Sequence, residues 1–134
     1  MPDLRYDIRE LAAIFTGGAV GALVRVALGR LPVAGAPSWP WITLAINLAG
    51  AFALGYFATR LQERLPLSTY RRPFLGTGFC GALTTFSTLQ VELLKMLDSH
   101  CYGRAAGYAA VSLIGGYLAV HLASSFVRRV RAVA

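Results

Sequence analysis

Four stretches of this chain carry no Asp, Glu, Lys or Arg: residues 11–24, 40–59, 73–91 and 105–127. A helix crossing the hydrocarbon core of a bilayer needs about 20 mostly apolar residues. The second and fourth stretches meet that length as they stand. The third reaches it by continuing past Glu92 into Leu93 and Leu94, and the first by running past Arg25 to Leu28. With 14% of its residues charged and 56% hydrophobic, the chain has too little charge to coat a soluble domain. The expectation is an all-α membrane protein, one domain over 1–134, with four transmembrane helices at about 11–28, 41–59, 74–97 and 105–127. The N-terminus mixes Asp3, Arg5, Asp7, Arg9 and Glu10 and has no basic n-region, so no cleaved leader is expected.

The third stretch is a poor recipe for a plain lipid-facing helix. Its centre reads Gly76-Thr-Gly-Phe-Cys-Gly-Ala-Leu-Thr-Thr-Phe-Ser-Thr88, dense in glycine and hydroxyl. Inside lipid every backbone N–H and C=O needs a partner, so non-helical backbone survives only where protein or water covers it. This segment is therefore expected to break near 81–85 and to mark an ion or substrate site.

Polar residues recur four apart, and hence on one helix face, in three of the helices. They are Thr43 and Asn47, Thr84 and Thr88 with Ser87 beside them, and Tyr108 and Ser112. Asn47 is the only amide deep in a span; it either makes an interhelical hydrogen bond or lines a pathway. Three polar stripes suit a narrow conduit lined by neutral donors, joined by the electropositive edge of Phe86. Such a lining favours a small anion whose hydration water is replaced by donors. A large organic cation would want a buried carboxylate, and the only carboxylate near membrane depth is Glu92. A hard cation could still bind backbone carbonyls exposed where helix three unwinds.

Other features read more plainly. Gly17-x-x-x-Gly21, Ala51-x-x-x-Gly55 and Gly78-x-x-x-Ala82 let helix backbones approach closely in lipid, implying a tight bundle and an oligomer. Arg25 snorkels to the interface, or else draws an anion into a vestibule or ties helix ends together. Glu92, Lys95 and Asp98 have the spacing to pair along one helix. His121 lacks an acidic or second histidine partner and reads as packing. Cys80 and Cys101 have no metal-binding or disulfide spacing. No paired carboxylates, His-Glu-x-x-His or P-loop appears, so no enzyme template fits.

Charge placement bears on topology and partners. With a cytoplasmic N-terminus, Arg5, Arg9, Arg60, Arg64, Arg71, Arg72, Arg128, Arg129 and Arg131 fall on the inner side. Arg25, Arg30, Lys95 and Arg104 fall on or toward the other, so nine of the 13 basic residues favour both termini inside. The net charge of +7 is spread over termini and short loops, which suits anionic lipid headgroups rather than nucleic acid.

On these residues the chain resembles the CrcB/Fluc family of fluoride ion channels over nearly its whole length. The likeness is carried by Gly17-Gly-Ala-Val-Gly-Ala-Leu-Val-Arg25, by Thr43-Leu-Ala-Ile-Asn47-Leu-Ala-Gly50-Ala-Phe52, and most specifically by Gly78-Phe-Cys-Gly81-Ala-Leu-Thr84-Thr85-Phe86-Ser87-Thr88. The resemblance implies an antiparallel, dual-topology homodimer of four-helix subunits in a prokaryotic cell (inner) membrane. It implies two fluoride pores and a structural sodium ion held by the backbone carbonyls of Gly81 and Thr84. Asn47 would be a pore-lining donor and Phe86 a pore phenylalanine, with Tyr108 and Ser112 on the polar track. The implied role is passive fluoride efflux that relieves toxicity. The chain departs from the family pattern at Leu89, where a second phenylalanine is usual, and at Gly116, where a hydroxyl would extend the track. Its charge bias also exceeds what dual topology favours, which admits an inverted paralogous partner. Two rival readings are a small multidrug-resistance-type exporter and a non-transporting assembly subunit. The exporter needs a buried carboxylate in helix one, which has none between Leu11 and Leu28. The assembly subunit leaves Asn47, Thr84 and Ser112 at depth without a purpose.

Overall fold

The computed structural model describes residues 7–31, 39–64 and 70–133. The loop expected around Pro32, Gly35 and Pro37, the link residue Pro66, and Arg5 lie outside the described residues. The rest is helical: α1 (Ile8–Gly29), α2 (Trp41–Arg64), a π-helical run Pro73–Cys80, a single turn α3 (Gly81–Leu83), α4 (Phe86–Asp98) and α5 (Tyr102–Val133). Three segments, Ile8–Gly29, Trp41–Leu61 and Tyr102–Val130, are long and apolar enough to cross a membrane uninterrupted. The remaining stretch, 73–98, is in pieces.

Local chemistry sets the ends. Asp7 caps α1, its Oδ1 accepting from the Arg9 N–H at 3.0 Å. Asp7 Oδ2 also accepts from the Tyr70 hydroxyl at 3.2 Å, tying the start of α1 to the start of the broken helix. Two helices outrun their apolar stretches. α2 continues to Arg64 rather than stopping near 59, and α5 runs from Tyr102 through the arginines to Val133. Arginine is a good helix former, so loss of hydropathy does not end a helix.

A tight reversal joins α4 to α5. The Cys101 N–H donates to Met96 O at 2.8 Å and the His100 N–H to Leu97 O at 2.9 Å, a Schellman pattern. It places His100 at φ 56°, a left-handed conformation that suits glycine. Replacing His100 with glycine is expected to stabilise the protein by roughly 0.5–1 kcal/mol, even at the loss of the exposed contact to the Tyr102 hydroxyl. A raised thermal midpoint in detergent checks this; a lowered one would contradict it.

Glycines set the helix packing. A Cβ on Gly17 would strike the Phe74 carbonyl and one on Gly21 the Phe79 carbonyl, while one on Gly78 would lie 2.6 Å from Ile14 O. Thus α1 lies backbone to backbone on the π-helical run. In the same way a Cβ on Gly55 would meet Val120 O at 2.8 Å, so α2 lies directly on α5. The interior is small: Leu44, Leu89 and a fully buried Tyr108, with Trp39, Leu48, Leu93 and Met96 around them. Trp39 stands edge-on to Tyr108, ring centroids 5.5 Å apart. Large apolar side chains such as Phe15, Leu23, Leu113 and Phe126 point outward. That surface would make a water-soluble protein associate, and it suits a bilayer.

Candidate functional site

The helix starting at Pro73 is widened, then unwinds and restarts. The Gly81 N–H donates five residues back to Gly76 O, the π-helical pattern. One α-turn follows, closed by the Thr84 N–H and hydroxyl, which both donate to Cys80 O at 3.0 Å. Then Thr84 (ψ 149°) and Thr85 (φ −140°, ψ 116°) go extended. The Thr85 hydroxyl caps α4, accepting from the Thr88 N–H at 3.1 Å and donating to Thr88 Oγ1 at 2.9 Å.

Asn47 on α2 grips this extended residue. Its Oδ1 accepts from the Thr85 N–H at 2.8 Å and its Nδ2 donates to Thr85 O at 3.0 Å. The amide orientation is dictated by the partners, since a backbone N–H can only donate and a carbonyl only accept. One Nδ2 hydrogen remains for another acceptor. Sequence spacing placed Asn47 on a face with Thr43; its true partner, 38 residues away, had no local signature.

One helical turn along, a second polar layer forms. Glu92 of α4 accepts from the Thr43 hydroxyl at 2.6 Å and from the Tyr108 hydroxyl at 2.7 Å. This corrects the expected pairing of Glu92 with Lys95 and Asp98: both carboxylate oxygens go to hydroxyls on neighbouring helices. The two layers follow from register. Thr43 and Asn47, Glu92 and Thr88, and Tyr108 and Ser112 are each four residues apart, about 6 Å along a helix. Ser112 Oγ, in the register of the Asn47 layer, is buried with no hydrogen-bond partner among the described residues, a free donor. Beyond the Glu92 layer lies a crevice of about 260 Å³ lined by Trp39, Pro40, Glu92, Lys95, Met96, Ser99, Cys101 and Arg104. Lys95 and Arg104 give its rim positive charge.

Other candidates lie apart. Phe86, the first residue of α4, is 69% exposed and touches neither layer's hydrogen bonds. Ser87 is exposed, 3.3 Å from the Thr85 hydroxyl. Arg25 on α1 is half-buried, its Nε shielded and without a hydrogen-bond partner among the described residues. Leu89, at the position of the second phenylalanine, fills the core against Leu44 and Tyr108. A Cβ on Gly116 would meet nothing within 4 Å. His121 stacks on Tyr117, and Cys80 and Cys101 are free thiols.

The break also frees carbonyls. In an unbroken helix the Thr85 N–H would pair with Gly81 O and the Thr88 N–H with Thr84 O. Asn47 takes the first donor and the Thr85 hydroxyl the second. Oxygen atoms released in this way are ligands of the type a hard cation takes. Among the described residues no group of three or more His, Cys, Asp or Glu could hold a metal ion.

Comparison with known proteins agrees in extent with this architecture. Residues 12–124 match the family model described as CrcB-like protein, Camphor Resistance (CrcB). The protein named fluoride-specific ion channel FluC 1 of Mycolicibacterium paratuberculosis is 61% identical over 127 residues, covering 95% of this chain and 96% of its own. Its namesake in Mycobacterium bovis is 60% identical over 126 residues, covering 94% of this chain and 96% of its own. The fluoride-specific ion channel FluC of Gloeobacter violaceus is 43% identical over 115 residues, covering 84% of this chain and 90% of its own. With relatives in bacteria and three helices able to span, this is a multi-pass bacterial membrane protein. The match over nearly the whole chain shows that it belongs to the CrcB-like family.

Proposed function

We propose that this chain forms a fluoride-selective channel through which fluoride leaves the cell passively, lowering its toxicity. Fluoride enters as neutral HF and is trapped as the anion, so an anion leak suffices. The observation that carries this reading is the pair of polar layers at membrane depth, built mainly from neutral donors on three helices. The Asn47 amide, the Thr88 hydroxyl and the unpartnered Ser112 hydroxyl can replace water around a small anion. The names of the relatives support fluoride as that anion. They also make the chain a channel rather than an enzyme.

The finer architecture belongs to the same proposal. The interrupted stretch 73–98 serves as a fourth span, and two copies associate as an antiparallel, dual-topology dimer within the lipid bilayer. Gly81 is exposed in the single chain although it sits at the break. Backbone cannot face lipid unpaired, so a second copy and a sodium ion on the Gly81 and Thr84 carbonyls give it cover. The second copy also brings exposed Phe86 against protein, where its ring edge meets the anion. An inverted paralogue remains the alternative partner, motivated by the charge bias. Nucleic acid has no part in the reading.

Replacing Phe86 with alanine tests the pathway. Loss of about 1.4 kcal/mol of favourable contact at a constriction slows passage about tenfold. Fluoride efflux from liposomes is expected to fall by at least that factor while the protein stays folded; unchanged efflux would remove Phe86 from the path.

A further inference from the structure

We infer that Asn47 is a positioning residue whose carboxamide creates the cation site by holding helix three open at Thr85. This rests on the proposed channel with its sodium ion, and assigns Asn47 a task beyond that of an anion donor.

The Thr84 N–H still makes the regular helical bond to Cys80 O at 3.0 Å. The next bond in the ladder, from the Thr85 N–H to Gly81 O, is the one diverted, at 2.8 Å, to Asn47 Oδ1. From Nδ2 the same side chain donates to Thr85 O at 3.0 Å, so Thr85 is held on both sides. Two fixed hydrogen bonds define its rotation, and its hydroxyl then caps α4 by taking the Thr88 N–H. That second diversion releases Thr84 O. Both carbonyls assigned to sodium thus lose their helical donors through one residue that Asn47 orients. Without the Asn47 acceptor, the Thr85 N–H has Gly81 O as its nearest natural partner, and the helix can close over the site. Aspartate keeps an acceptor for the Thr85 N–H and loses the donor to Thr85 O, so it should keep the break while changing the charge of the anion path.

Purified full-length protein in detergent, followed by thermal unfolding over a series of sodium chloride concentrations against equal choline chloride, tests this. A ligand that binds only the folded state raises the unfolding midpoint as its concentration passes its dissociation constant. Removing a residue that orients metal ligands typically weakens the metal about 10–100-fold, and a shift of that size in half-saturating sodium is expected for Asn47→Ala. Asn47→Asp is expected to retain the sodium response. An undiminished response in Asn47→Ala would overturn the inference alone. A wild-type protein that conducts fluoride but shows no sodium response would remove the sodium ion from the proposed function, and this inference with it. If Asn47→Ala gives no folded protein, Asn47→Asp decides: a retained response supports the assignment, and a lost one overturns it.

Discussion

Alanine at Gly17 or Gly21 is expected to leave little or no folded protein. Each new Cβ would run into a backbone carbonyl of the π-helical run, that of Phe74 or of Phe79. A clash with the tip of a flexible side chain is relieved by a rotamer change, but a clash with backbone is relieved only by moving a helix. Overpacking costs about 1–3 kcal/mol where side chains can yield, so the upper end or beyond applies here. Separating α1 from this run also releases the hydrogen bond from Tyr70 to Asp7 and shifts the segment that leads into the break. Gly103 provides the control. A Cβ there meets nothing within 4 Å, and alanine in place of glycine favours a helix. Monodisperse yield and thermal midpoint in detergent should collapse for Gly17→Ala and Gly21→Ala and hold for Gly103→Ala. Wild-type behaviour of Gly21→Ala would show that α1 and the run are not in backbone contact.

The second large effect is expected at Tyr108. It is fully buried, packed on Leu44 and Leu89 with the edge of Trp39, and its hydroxyl donates to Glu92. Truncating a buried aromatic to alanine costs about 3–5 kcal/mol, because contacts vanish and a cavity remains. The Glu92 carboxylate would also lose one of its two donors. Tyr108→Phe separates these contributions. It keeps the ring and deletes only the hydroxyl, leaving one carboxylate oxygen unpaired at about 1–3 kcal/mol. The expected order of thermal midpoints is wild type, then Tyr108→Phe, then Tyr108→Ala. A Phe variant as unstable as the Ala variant would mean that the hydrogen bond to Glu92, not packing, dominates this layer.

Much of the architecture is legible in the sequence because bilayer thickness converts charge-free length into spans, and because glycine and threonine at depth have few uses. The break expected near 81–85 falls at Thr84–Thr85. The polar residues at depth stand out for the same reason: a polar group in hydrocarbon needs a partner. What they bond to was not visible. Asn47 and Thr43 share a face by spacing, yet one partners Thr85 and the other Glu92, 38 and 49 residues away. Glu92 was expected to pair along its own helix, because spacing reveals only local neighbours. The π-helical geometry of 73–80 likewise has no composition of its own. Helix ends were missed at Arg64 and beyond Arg128, where charge ends the apolar stretch but not the helix.

Two polar layers, built mainly from neutral donors around the Glu92 carboxylate, are expected to pass fluoride and refuse larger anions. The most direct test is ion efflux from liposomes containing this purified chain alone, read with a fluoride electrode and repeated with chloride. Rapid fluoride efflux and no chloride efflux above the protein-free leak are expected. Chloride efflux at a comparable rate, or no fluoride efflux at all, would contradict that expectation.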